Sequence, residues 1–174
     1  MSNPYKGGLS PEAISVFLRW GERIRSREAP GSVRADRAIL WRAATLTAVT
    51  LTPTYQRLYA DMAKAHPGAP WREHEQERIA AVIGLTVHLK EANSLSLPRA
   101  MSRKLPEESD RNPVSELRFT RLLDSPDIEA LFTGLRRALP LIKNAVDPAS
   151  LAHDVFAWGD TVKKRWAYDY DWPK

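Results

Sequence analysis

The apolar residues of the chain recur at the spacing of helix faces rather than in the alternation of strands. Two sets illustrate the pattern: Ile79, Val82, Ile83 and Val87, and Ile128, Leu131, Phe132, Leu135 and Leu139. Because residues three, four and seven positions apart share one face of an α-helix, each set predicts an amphipathic helix with a buried stripe. No segment sustains the alternation that would predict a strand.

Capping residues followed by proline mark four helix starts. They are Ser10-Pro11, Thr52-Pro53, Ser125-Pro126-Asp127 and Asp147-Pro148. A capping oxygen accepts a hydrogen bond from the first turn, and proline has no N–H there to leave unpaired. With the periodicity, these starts predict an all-α fold of about eight helices and no sheet. We predict helices over residues 10–26, 34–47, 53–65, 72–90, 97–104, 114–124, 127–143 and 148–170. Pro140 should kink or end the seventh of them.

The most polar connection, EANSLSLPRAMSRKLPEESDRNP, begins at Glu91. We therefore predict a boundary near Leu95 between two packed helical bundles, an N-terminal one of residues 1–95 and a C-terminal one of residues 96–174. Residues 1–95 carry 13 basic and 9 acidic side chains, and residues 96–174 carry 13 and 12. The basic excess is thus not confined to one tail.

Composition narrows the classes of function. A chain of 174 residues with 43% hydrophobic content can bury a core. The net charge of +5 favours an anionic partner without requiring one. Since there is no cysteine, disulfides and thiolate chemistry are excluded, which fits a reducing compartment. The first residues, MSNPYKGGLSPEA, lack a signal-peptide pattern, and no apolar run is long enough to span a membrane. We expect a cytoplasmic protein without membrane association.

The predicted helix over residues 34–47 has one basic face and one apolar face. The first contains Arg34, Arg37, Trp41, Arg42 and Thr45, and the second contains Ile39, Leu40, Ala43 and Leu46. Guanidinium groups one turn apart suit a phosphate backbone, because each can meet an anionic oxygen and release counterions. The same spacing also fits a charged face that only contacts water. An aromatic ring among arginines favours base stacking for Trp41.

Further basic side chains project away from apolar stripes in the second half. Arg118 and Arg121 lie opposite Phe119, Arg136 flanks the stripe of its helix, and Arg137 points away from it. These arginines too could serve only to solvate their helices.

The last helix of the prediction carries a stripe that ends in an aromatic cluster. Leu151, Val155, Trp158, Val162 and Trp166 share one face, so we predict that Trp166 is buried. Lys163 and Lys164 then face outwards, and Arg165 is placed to pair with Asp169 at i,i+4. Spacing leaves Tyr168, Tyr170 and Trp172 open between packing and contact with a partner.

No pattern in the chain predicts catalysis or a cofactor. The segment WREHEQER contains His74 but no second histidine at helical spacing, and His66, His88 and His153 are scattered. There is no phosphate-binding glycine loop and no nucleophile elbow. We therefore expect no enzyme, no metal site, no cofactor and no small-molecule substrate.

Three segments together resemble a known family. GSVRADRAILWRA (31–43), LRFTRLLDSPDIEALFTGLRRALPLIK (117–143) and LAHDVFAWGDTVKKRWAYDYDW (151–172) are similar to the CasB-type small subunit of Cascade, the type I-E CRISPR interference complex. SLPRAM (96–101) resembles a Ser-Leu-x-Arg-Ala segment of the same family. Trp41 departs from the family, which often has a basic residue there, and Pro98 stands where glycine is common.

The resemblance implies a non-catalytic, all-α, two-bundle subunit of a ribonucleoprotein complex. Its implied partners are the crRNA-bearing backbone and large subunits of Cascade, another copy of itself, and target DNA, mainly the strand displaced from the R-loop. The implied nucleic-acid-binding residues are Arg34, Arg37, Arg42, Arg99, Arg118, Arg121, Arg136, Arg137, Lys163, Lys164 and Arg165. Contacts with the phosphate backbone of the DNA do not depend on base sequence, because guide pairing supplies the specificity.

Two other hypotheses remain compatible with the sequence. In the first, the chain is a helical adaptor whose basic faces dock acidic proteins and never touch nucleic acid. In the second, it is a sequence-specific helix-turn-helix regulator, although no recognition helix stands out.

Overall fold

The computed structural model describes residues 8–106 and 110–174, which form mainly α-helices. In order, these are α1 (Pro11–Arg25), α2 (Gly31–Arg42), α3 (Leu46–Thr50), α4 (Pro53–Ala65), α5 (Glu73–Thr86), α6 (Leu97–Ser102), α7 (Glu116–Leu123), α8 (Ile128–Ala138), α9 (Pro148–Phe156) and α10 (Asp160–Asp169). The predicted all-α class is confirmed. The helices number ten within the described residues, rather than about eight, because two predicted helices are each divided.

Three of the four predicted caps begin helices as expected. Ser10, Thr52 and Asp147 each accept a hydrogen bond from a backbone N–H in the first turn of α1, α4 and α9. At the fourth, the cap is Asp127 rather than Ser125: its Oδ1 accepts from the Ala130 N–H at 2.8 Å. Pro140 does end a helix, since α8 stops at Ala138 and a 3-10 turn over Leu139–Ile142 follows.

The predicted helix over residues 34–47 is interrupted at residues 43–45. Thr45 caps α3 by accepting from the Ala48 N–H at 3.1 Å. A carboxylate oxygen of Glu129, in α8, accepts from the Leu46 N–H at 3.1 Å. These two acceptors satisfy free N–H groups at the new helix start, so tertiary contact stabilises a break that periodicity alone does not predict.

The predicted helix over residues 148–170 is also interrupted, at residues 157–159. One nitrogen of Arg78, in α5, donates to the carbonyls of Phe156 and Trp158, each at 2.8 Å. Carbonyls at a helix end lack partners within the helix, and Arg78 supplies a donor to them from a distant part of the chain.

A short pair of strands departs from the prediction of no sheet. β1 (Glu91–Ala92) pairs in parallel with β2 (Ala145–Val146), with Glu91 opposite Ala145. The pair joins the segment after α5 to the segment before α9. It is too short to change the fold class.

The core is built around α5, whose residues from Ile79 to Thr86 are all buried. This helix contacts α4 on one side of the predicted boundary and α8 and α9 on the other. A Cβ at Gly84 would lie 2.9 Å from the Phe132 ring, so only glycine lets α5 and α8 approach this closely. The division near Leu95 stays a prediction. No described helix is long and apolar enough to cross a membrane.

Candidate nucleic-acid interface

The first of three neighbouring surface hollows borders α2 and has a volume of about 550 Å³. Its charged lining is Arg25, Arg27, Arg34, Arg37 and Arg42, with Trp41 among them. No Asp or Glu of the described ranges lines it. Arg34 and Arg42 are exposed, as their helical positions predict. Ile39, placed on the apolar face by projection, is 43% exposed, because α2 buries a narrower stripe through Val33 and Leu40.

Arg37 differs from its neighbours because its guanidinium is engaged inside the protein. Its Nε donates to the carbonyl of Val87 at 2.9 Å and its Nη2 to that of Leu89 at 2.7 Å. Nη1 donates to the carbonyl of Ile24 at 3.4 Å. Arg37 therefore ties α2 to the segment that follows α5, and burial lowers the pKa of its guanidinium. Nucleic-acid contact by Arg37 stays a prediction, and its donors already serve these carbonyls.

Replacing Arg37 with methionine should lower the free energy of unfolding by about 2–3 kcal/mol, because three carbonyls lose a charged donor. Urea unfolding of the parent and variant measures the change. Arg34→Met is the matched control, since Arg34 is exposed on the same helix and should change stability by less than about 0.5 kcal/mol. Equal stability of the two variants would show that the Arg37 contacts do not stabilise the fold.

The second hollow, of about 520 Å³, lies where the end of α2 meets α8. Lys90, Arg136 and Arg137 line it together with Trp41 and His88. Among the residues that the structure describes, it has no acidic lining. Lys90 was not singled out by sequence analysis, because it follows a helix end and belongs to no charged stripe.

His88 supports the second hollow as a neutral imidazole. Burial, reinforced by the Arg136 and Arg37 cations, lowers the pKa of His88 to about 4. At neutral pH its Nε2 can therefore accept a hydrogen bond, and the Nε of Arg136 donates to it at 3.4 Å. Arg136 also donates from Nη2 to the Trp41 carbonyl at 3.4 Å. Arg136 is thus half-buried and positioned, while Arg137 is exposed.

The third hollow, of about 540 Å³, lies between α7 and α8. Arg118, Arg121 and Arg137 line it, and Asp124 is the one acidic residue in its described lining. Arg118 and Arg121 are exposed on α7, opposite the buried Phe119, as predicted. The hollow combines three cations with an apolar floor that includes Leu122.

The three hollows are neighbours because they share lining residues. Trp41 belongs to the first and second, and Arg137 belongs to the second and third. We call Trp41 and seven of the cations that line the hollows the basic strip; the cations are Arg34, Arg42, Lys90, Arg118, Arg121, Arg136 and Arg137. The strip draws on residues from both sides of Leu95. It brings together six of the eleven predicted binding residues.

The predicted binding residues outside the strip are mostly engaged elsewhere. The exposed Arg99 lies 3.6 Å from the half-buried Asp169 in an ion pair. The Nζ of Lys163 donates to the Ser125 carbonyl at 3.4 Å and lies over the Trp158 ring. Because Ser125 lines the third hollow, Lys163 lies at its margin.

The prediction that Arg165 pairs with Asp169, four residues later in the helix, is wrong. Arg165 instead pairs with Asp154, in α9, and Asp169 pairs with Arg99. The break between α9 and α10 brings α10 back against α9, which creates a partner that helical spacing could not reveal. Lys164 is exposed, as predicted, whereas Lys163 is half-buried against the Trp158 ring and does not simply face outwards.

The C-terminal aromatic cluster divides into packed and exposed rings. Trp158 and Trp166 are buried, which confirms the predicted stripe. Tyr170 is also buried, stacks on Phe119 and donates to the Val114 carbonyl at 2.6 Å. Tyr168, by contrast, is 90% exposed, and Trp172 is 40% exposed.

In the part of the chain that the structure describes, no three His, Asp or Glu side chains lie close enough to hold a metal ion. Asp154 is the buried carboxyl near the C-terminal cluster, and burial raises its pKa, although hydrogen bonding to Trp166 and the charge of Arg165 oppose the rise. Its contacts are internal and structural.

Comparison with known proteins supplies an independent line of information. A family model described as CRISPR-associated protein Cse2 matches residues 36–170. The fold is similar to that of a chain in a crystal structure of E. coli Cascade bound to a PAM-containing dsDNA target. That chain is 18% identical, the match covers 91% of this chain and 93% of that chain, and the TM-score is 0.63. No curated protein matches the sequence significantly.

Proposed function

The chain belongs to the CRISPR-associated Cse2 family, and from this premise we propose that it is the non-catalytic small subunit of a crRNA-guided type I-E Cascade complex. In this role it binds the DNA strand displaced when the guide pairs with its target. Its protein partners are the crRNA-bearing backbone, the large subunit and a second copy of the chain. The complex acts in the cytoplasm.

The basic strip is the main structural support for the proposed function. Its cations line adjoining hollows, and the described lining contains a single acidic side chain, Asp124. Such a surface suits a flexible polyanion, because cations along its course can meet successive phosphates and release their counterions. These contacts read no base sequence, which suits a strand whose sequence varies with every target.

Binding of the displaced strand can stabilise the R-loop against reannealing of the DNA duplex. Forming the RNA–DNA hybrid is nearly balanced against restoring the DNA duplex. Contacts worth a few kcal/mol on the displaced strand therefore shift the exchange towards the open state. No catalytic group is needed for this role, since the subunit acts by binding alone.

A salt titration of strand binding tests the proposal. Single-stranded DNA of mixed sequence is titrated with the full chain, alone and within the assembled complex, at increasing salt. We expect binding that is independent of base sequence and that weakens steeply with salt. If neither form contributes measurable strand binding, while the chain still binds acidic partner proteins, the adaptor hypothesis replaces this one.

A further inference from the structure

Trp41 is an exposed indole in the middle of the basic strip. Its side chain is 54% exposed, although exposing so large an apolar ring to water is unfavourable. It is the residue shared by the first hollow, with its arginines, and the second, with Lys90 and Arg136. Any polyanion that follows the strip from one hollow to the next must therefore pass this ring.

The indole is held in place from within the protein. The ring of His88 lies against it, with 5.2 Å between ring centroids and an angle of 43° between planes. Arg136 donates to the Trp41 main-chain carbonyl, and the same guanidinium donates to His88. A ring positioned in advance loses little conformational freedom when a ligand covers it, which favours binding.

We propose that Trp41 stacks on an unpaired nucleobase of the bound strand while cations of the two flanking hollows hold the adjoining phosphates. This inference rests on the proposed function and adds a specific ligand to one residue of the strip. Stacking accepts every base, since each has a π-face, so it does not conflict with sequence-independent binding. It does select single strands, because bases in a duplex are already stacked on each other.

Phosphate contact and base stacking respond differently to the ligand and to salt, which allows them to be separated. A cation contributes to affinity by releasing counterions. Its loss therefore lowers the salt slope, which is the dependence of the logarithm of the binding constant on the logarithm of the salt concentration. A stacked ring contributes through the base, so its loss leaves the salt slope unchanged and matters only when bases are present. Two probes follow: a single-stranded oligodeoxynucleotide, and an oligomer of the same length with abasic sugars throughout.

Trp41→Ala should weaken binding of the full chain to the normal oligonucleotide by about tenfold at constant salt slope. It should not change binding to the abasic oligomer. Trp41→Phe, which keeps a ring, should retain most of the affinity. Ile39→Ala is the matched control, because Ile39 is an exposed apolar residue of the same helix and should leave binding to both probes unchanged.

The possible outcomes separate this inference from the proposed function. The proposal that Trp41 stacks on a base is wrong if Trp41→Ala binds the normal oligonucleotide as tightly as the parent. It is also wrong if the variant loses equal affinity for both probes. In that case, strand binding that still depends on salt and on the strip arginines leaves the proposed function intact. If the parent binds neither probe, alone or within the complex, both fail. Loss of complex assembly in Trp41→Ala, with parent-like strand binding, would assign the ring to a protein neighbour instead.

Discussion

Replacing Trp166 with alanine should lower the free energy of unfolding by about 3–5 kcal/mol. The ring is fully buried, and it packs edge-on against Trp158 and stacks on Phe119. Removing it leaves a cavity in the contact between α10 and its neighbours, which alone accounts for a cost of this size.

The same substitution removes a hydrogen bond from a buried carboxyl. The Trp166 Nε1–H donates to an Asp154 oxygen at 2.8 Å, and Asp154 is 5% exposed. Without that donor the carboxyl keeps Arg165 but loses a second partner, which adds to the destabilisation. Trp166→Phe keeps an aromatic ring and loses the N–H donor and part of the ring volume, so it should cost clearly less than alanine.

Thermal and urea unfolding measure the effect of the Trp166 variants. Tyr168→Ala is the matched control, because Tyr168 lies on the same helix, is 90% exposed and should change stability by less than about 0.5 kcal/mol. A Trp166→Ala variant that unfolds like the parent would mean that the C-terminal helix is not anchored through this ring.

Reversing the charges of Arg118 and Arg121 together should weaken single-strand binding by at least about tenfold at moderate salt without unfolding the chain. Both side chains are exposed on α7 and line the third hollow. Two glutamates would remove two phosphate contacts and repel the strand. The salt slope should fall by about 0.7 for each lost contact.

A control pair separates the position of the charges from the net charge. Lys64→Glu with Arg72→Glu changes the net charge equally, and both residues are exposed and lie outside the three hollows. This variant should keep most of the affinity and the parent's salt slope. If the two double variants bind the strand alike, net charge rather than the basic strip governs binding.

Much of the helical architecture could be predicted because its causes are local. Apolar spacing and capping oxygens act within a few residues, so most helix spans follow from the sequence. The divisions at residues 43–45 and 157–159 could not be predicted, because Glu129 and Arg78 stabilise them from other helices. The two-residue strand pair likewise joins segments more than 50 positions apart.

The candidate site was predictable only in part, for the same reason. Helical projection correctly placed Arg118 and Arg121 on an exposed face, because that depends on the helix alone. It could not separate Arg34, which is exposed, from Arg37, whose partners lie in the segment after α5. Lys90 joins the strip only because the fold places α8 and the segment after α5 around the same hollow.

The lifetime of an R-loop is the measurement that tests the central proposal most directly. Cascade is assembled with the parent chain, with the Arg118/Arg121 reversal or with the Lys64/Arg72 reversal, and subunit content is matched before target DNA is added. The proposal predicts that the Arg118/Arg121 complex loses the open R-loop about tenfold faster than the parent, while the Lys64/Arg72 complex behaves like the parent. Equal R-loop lifetimes in all three complexes would contradict it.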